Sequence, residues 1–290
     1  MTLPNGATFG TGPSDTPTLI LKTAHSTATI ALHGATVLSF VPVGQRDLLW
    51  VSPKANAASG KAIRGGIPLC GPWFGPHLTN SAAPMHGLMR TRPWTLTRVE
   101  LLADKRLRAE FQLELPPQRE VGWAHSATAV FTVHVGESLQ IELSIRNTGT
   151  TPFMLSGALH SYFAVSDVRN IKVEGLADRV FIDYTAGGVC GRHDHTPVTP
   201  REEMARFFLT EAPVRLVDAA WNRTLNLRGW GHGATIVWNP WDKTAATMPD
   251  LGDAWPGFVC IEHANVPDTA MALLPSMTHH LGAEIQCRQF

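Results

Sequence analysis

The chain is predicted to be an all-β protein, with large antiparallel sheets packed face to face, and three observations carry that expectation. Strand-period alternation recurs along the sequence. Helix-period patterning is hard to find. The 21 prolines and 25 glycines punctuate the alternating runs instead of gathering in one linker. Near the start, Thr29-Ile30-Ala31-Leu32 and Ala35-Thr36-Val37-Leu38-Ser39-Phe40 flank Gly34 and read as a pair of short strands. Arg108 to Leu115 alternates, with Ala109, Phe111, Leu113 and Leu115 on one side. Ala129 to Val135 leads through Gly136-Glu137-Ser138 into Leu139-Gln140-Ile141-Glu142-Leu143-Ser144-Ile145-Arg146, which reads as a hairpin. The stretch 185–200, with Gly187-Gly188 and two prolines, reads as a long loop. Strand patterning resumes on both sides of it, so it is no domain boundary, and 201–208 reads as a short helix. No internal repeat or low-complexity segment interrupts this pattern, and a single domain over 1–290 is expected.

Apolar residues make up 44% and charged residues 17%, which implies a sizeable buried core and argues against global disorder. Lys+Arg and Asp+Glu are both 24. That balance argues against a nucleic-acid or anionic-membrane partner, yet leaves room for a local cationic pocket. Cys70, Cys190, Cys260 and Cys287 are scattered, with no CxxC pair, so reduced thiols and a cytoplasmic location are expected. The start shows no secretory pattern, and no run of about 18 apolar residues suggests a membrane span. Balanced charge and a compact sandwich suit a monomer.

Four segments bear chemistry. Arg64-Gly65-Gly66-Ile67-Pro68-Leu69-Cys70-Gly71-Pro72-Trp73-Phe74-Gly75, followed by Met85-His86-Gly87-Leu88-Met89-Arg90, places two arginines and a histidine among glycines and prolines. Glycine permits close backbone approach, proline restricts the loop, and each guanidinium is a rigid fork of donors for phosphate or carboxylate. A tight structural loop whose arginine caps carbonyls is the alternative. His160 lies in the apolar and aromatic run Ser156 to Phe163, either as a satisfied core histidine or as a catalytic one. Glu262 ends the apolar run Phe258-Val259-Cys260-Ile261, so it either faces a cleft or has a buried partner. Trp238-Asn239-Pro240-Trp241, with Trp73 and Trp123, offers flat surfaces for the C–H face of a sugar or simply core packing, and Trp73 is the substrate-binding candidate among them. His193-Asp194-His195 has no third ligand at metal-site spacing and reads as a solvated loop. No metal is expected.

In their order along the chain these segments resemble the hexose-6-phosphate mutarotases, the glucose-6-phosphate 1-epimerase branch of the aldose 1-epimerase family. The motifs are Arg64-Gly65-Gly66-Ile67-Pro68, Pro72-Trp73-Phe74-Gly75, His86-Gly87-Leu88-Met89-Arg90, Ala158-Leu159-His160-Ser161-Tyr162-Phe163, Trp238-Asn239-Pro240-Trp241 and Val259-Cys260-Ile261-Glu262. The resemblance implies a β-supersandwich with the active site in a cleft on one sheet. It implies His160 and Glu262 as the catalytic pair, Arg64 and Arg90 as phosphate ligands and His86 as a substrate binder. Asp167 and Lys243 also sit in family-like segments.

The chain departs from the family pattern at several positions. Gly71 stands where many relatives carry a larger residue, Met85 where some have glutamine, and His263 where proline commonly follows the glutamate. Val214-Arg215-Leu216 lacks the family's aspartate, with Asp218 nearby. These changes leave the pair intact and the choice of sugar open.

The implied reaction interconverts the α and β anomers of a hexose 6-phosphate. Ring opening needs one base and one acid and no cofactor, with Glu262 expected ionised and His160 protonated. A mutarotase for unphosphorylated aldoses and a non-catalytic sugar-phosphate-binding protein of the same fold are the alternatives. A glycosidase would need a second carboxylate opposite Glu262.

Overall fold

The computed structural model describes residues 2–57 and 60–290. Two eight-stranded antiparallel sheets dominate it, joined by a four-stranded and a two-stranded sheet. One large sheet contains the strands Leu107–Leu115, Ala127–Val135, Leu139–Asn147 and Thr278–Gln289 as consecutive neighbours. In the first three, buried and half-exposed positions alternate almost without fault, as the sequence pattern requires of a sheet with one wet face. Their inward residues, among them Phe111, Phe131, Val133, Ile141 and Leu143, form the floor of the main core.

The other large sheet supplies the opposite wall and carries the cavity described below. Its central strand, Phe258–Asn265, is buried along its whole length. Val259 and Ile261 point into the main core, while Cys260 packs with Tyr162, Phe258, Trp50 and Trp238 on the other face. A strand covered on both sides reads as a continuous apolar run, which is why Glu262 stands out within it.

The four-stranded sheet runs through Ala7–Thr11, Pro17–Lys22, Ser26–Ala31 and Val37–Pro42. Gly34 takes a φ of 70° at the turn between the last two. Two expectations fail here. Residues 201–208 hold the strand Met204–Phe208, not a helix, because that segment is hydrogen-bonded on both sides, to Val180–Asp183 and to Ala234–Asn239. Helix-forming residues there yield to the sheet, which satisfies every backbone group of an internal strand. The stretch 185–200 is not all loop, since Val189–Arg192 pairs with Val180–Asp183.

Among the described residues the one α-helix is Trp241–Ala246. Asn239 fastens it to the sheet: its Nδ2 donates to the carbonyls of Trp255 and Phe258, each at 2.9 Å, and its Oδ1 accepts from the Trp241 N–H at 2.9 Å. No described helix is long and apolar enough to cross a membrane.

Candidate active site

A single strand register assembles the site. Leu159 stands opposite His263 and Tyr162 opposite Cys260, so His160 falls opposite Glu262 on the same face as Tyr162 and Cys260. On the far side of the strand Phe258–Asn265, Ile236 is opposite Glu262 and Trp238 opposite Cys260. Phe207 and Ala205 extend these two rows by one further strand. A third row, Ala234, Ala264, Ala158 and Cys70, is made of small side chains. These small residues pack against Phe74 and Ile236, while the first two rows line a cavity of about 650 Å³ through His160, Glu262, Ile236, Trp238, Phe207 and Ala205.

His160, Glu262, Arg64, Arg90 and His86 all line this cavity. The His160 Nε2 lies 3.5 Å from Glu262 Oε1. The imidazole stacks on the Tyr162 ring, with centroids 4.8 Å apart and planes 9° from parallel, which fixes its orientation. Both groups are nearly sealed from solvent, and His160 Nδ1 and Glu262 Oε2 have no hydrogen-bond partner among the described residues.

Burial shifts both proton affinities. It pushes the Glu262 carboxyl well above the usual range, with Arg90 opposing in part. It pushes the His160 imidazole well below, helped by the neighbouring His86 ring and by the Arg90 and Arg64 charges. The ionised pair expected from sequence is therefore disfavoured by burial, which favours the proton shared by the two groups on the carboxyl. Moving it to the imidazole leaves the total number of protons unchanged.

The arginines reach the cavity from loops. Gly65 and Gly66, with φ of 112° and 67°, let the chain after Arg64 press against its neighbours. A Cβ on Gly65 would lie 2.4 Å from the Trp50 carbonyl oxygen, and one on Gly66 2.2 Å from that of Val37. Arg64 Nε then donates to Asp250 Oδ2 at 3.0 Å and its Nη1 to Tyr162 Oη at 3.2 Å. Arg90 Nη2 donates to the Met85 carbonyl at 2.8 Å, and its buried Nε has no partner among the described residues.

His86 adopts a left-handed backbone, φ 62°, held by its N–H on the Gly75 carbonyl and its carbonyl on the Gly71 N–H. Its Nδ1 accepts from the Gly75 N–H at 3.2 Å, which leaves Nε2 carrying the ring proton. Burial, Arg90 and Arg64 lower its pKa to about 3, so His86 is neutral across the physiological range.

Trp73 is not brought into this cavity. Its indole lines a neighbouring hollow of about 320 Å³, donates to the Pro84 carbonyl at 3.0 Å and meets His77 edge-on. Phe74, the next residue, lines both that hollow and the cavity. Asp167 is tied to Arg169. Asp218 is buried against Ser166 and caps the turn at Trp221, so it does not stand in for the missing family aspartate. His195 pairs with Asp178 and His193 with its neighbour Asp194. Phe207, Tyr184, Met248 and Asp250 were not singled out from the sequence. The first three line the cavity and the last anchors Arg64. None lies in a recognisable motif.

An open cavity on one sheet of two stacked antiparallel sheets, with an imidazole facing a carboxyl inside it, places the molecule in the galactose mutarotase-like class of β-supersandwiches. The chain belongs to the aldose 1-epimerase family, which matches residues 17–284. It is thus an isomerase-type enzyme. A Salmonella typhimurium relative named "Putative glucose-6-phosphate 1-epimerase" is 35% identical over 253 residues, covering 86% of this chain and 84% of the relative. An Escherichia coli relative of the same name is 33% identical over 244 residues, covering 83% and 81%. The crystal structure of a "putative mutarotase" from Salmonella typhimurium superposes with a TM-score of 0.91 at 30% identity, covering all of this chain and 96% of that one.

Proposed function

We propose that this enzyme interconverts the α and β anomers of a hexose 6-phosphate, with His160 and Glu262 as its acid–base pair. The observation that carries the reading is the 3.5 Å approach of His160 to Glu262 in a cavity that two guanidinium groups also line. Glu262, as carboxylate, takes the proton from the anomeric hydroxyl while His160, as imidazolium, gives one to the ring oxygen. The C1–O5 bond breaks and a carbonyl forms at C1. Rotation about C1–C2 presents the other face of the aldehyde, and the same two transfers in reverse close the ring. Sugar hydroxyls supply partners for His160 Nδ1 and Glu262 Oε2. They thereby favour the charged form of the pair, which burial alone disfavours.

Arg64 and Arg90 hold the phosphate away from the reacting carbon, so its binding energy orients the ring. Neutral His86 donates from Nε2 to a sugar oxygen. Phe74 and Trp238, both lining the cavity, give the apolar surface first sought at Trp73.

Anomer exchange followed by NMR on glucose 6-phosphate and on free glucose tests this reading. Arg90→Ala is expected to lower kcat/KM by about 10–100-fold on the phosphorylated sugar, the loss of a charge-assisted contact, and to leave free glucose nearly unaffected. Equal losses on both sugars point instead to an unphosphorylated aldose as the substrate.

A further inference from the structure

We propose that the floor of the cavity is also a binding site for a divalent cation of the zinc class, held by His160, Cys260 and Glu262, and that the cation competes with the sugar. Cys260 and Glu262 alternate along one strand and so project from the same face, with Tyr162 and His160 opposite them. One donor atom from each of His160, Cys260 and Glu262 lies within 4.8 Å of the other two, and all three residues are buried. An imidazole nitrogen, a thiolate sulfur and a carboxylate oxygen are a zinc donor set, whose bond lengths put the donors of a tetrahedron about 3.4–3.6 Å apart. His160 and Glu262 already stand at 3.5 Å. The Cys260 sulfur needs to close by no more than about 1.2–1.4 Å to reach the tetrahedral spacing, a side-chain adjustment. Three protein ligands leave the fourth position free, and it opens into the cavity that His160 and Glu262 line.

Charge supports the same assignment. A thiolate and a carboxylate together cancel a dication, so the loaded cluster is neutral although Arg64 and Arg90 line the cavity above it. Binding releases the thiol and carboxyl protons to solvent. Cys260 does not line the sugar cavity and has no part in the proposed reaction, so its thiol reports the metal separately from the chemistry. A bound cation occupies the lone pairs of both acid and base and stops turnover. That inhibition rests on the proposed reaction; the binding itself does not.

The test uses the purified chain with cobalt(II) as a spectroscopic probe and zinc(II) as its competitor. A thiolate-to-cobalt charge-transfer band with tetrahedral d–d absorption is expected, lost on adding zinc. Cys260→Ser is expected to abolish the band and weaken zinc binding by about 10–100-fold, whereas Cys190→Ser, at an exposed cysteine, leaves both unchanged. Glu262→Gln, read by the same spectrum, gives a comparable weakening should Cys260→Ser fail to fold. Glucose 6-phosphate raises the apparent zinc inhibition constant in wild type. No thiolate band at millimolar cobalt, or a band that survives Cys260→Ser, overturns the site. A thiolate band with undiminished anomer exchange overturns the inhibition and the assignment of the catalytic pair together, but leaves the metal site standing.

Discussion

The carboxyl of Glu262 and the imidazole of His160 face each other in a medium that penalises charge on either. Their ordinary titrations therefore move apart: burial lowers the imidazole from 6.5, and raises the carboxyl from 4.5. The pair carries one proton between an acid limb displaced below the ordinary imidazole value and an alkaline limb displaced above the ordinary carboxyl value. The acid limb of kcat/KM for free glucose, chosen because phosphate titrates near pH 6, is thus expected below the 6.5 of an ordinary imidazole. An acid limb at or above 6.5 contradicts the assigned proton state. Glu262→Gln removes the proposed base and is expected to lower kcat by about 10²–10⁴-fold, measured by anomer exchange. At this scale the sequence was informative wherever a side chain broke the character of its run: a glutamate ending an apolar strand, a histidine among aromatics, arginines beside glycines. It misled at Trp73, which lines the neighbouring hollow and not the cavity, whereas Phe74 lines both. Asp250 and Phe207 were invisible, since only cross-strand register and a remote loop bring them near the site.

The strands were legible because a sheet with one wet face must alternate, as Leu107–Leu115, Ala127–Val135 and Leu139–Asn147 do. Met204–Phe208 was misread because its neighbours, not its own composition, decide its backbone state. The helix Trp241–Ala246 is too short to show a period and is held by Asn239. The segment Arg64-Gly65-Gly66 marks where loop and sheet meet without room for a side chain. Gly66→Ala places a methyl 2.2 Å from the Val37 carbonyl oxygen at a φ of 67°. A destabilisation of about 1–3 kcal/mol is expected, seen as a lower denaturant midpoint. KM for the phosphorylated sugar is expected to rise as well, because Arg64 is carried on the displaced turn.

Across the whole molecule, the strand Phe258–Asn265 joins the cavity to the space between the sheets. Glu262 faces the cavity, and the next residue, His263, lies beside His232 and against Gly229. Burial and then His232 lower the His263 pKa to about 3 from 6.5. Unfolded chains take up a proton at this histidine once pH falls below 6.5, and the native chain does not until about 3. Stability from this group is therefore complete above pH 6.5 and lost progressively down to pH 3, at about 1.4 kcal/mol per unit as an upper figure. Urea midpoints taken between pH 7 and pH 4.5 check this, and His263→Asn is expected to flatten the decline.

The proposed acid–base pair hangs on the registered rows of a central sheet, while both guanidinium groups arrive from outside its strands. A descendant gene could thus exchange one sugar for another by rewriting the rim alone. Altering the opposed pair would instead disturb a wall shared with the interior. Selectivity can drift while turnover is inherited.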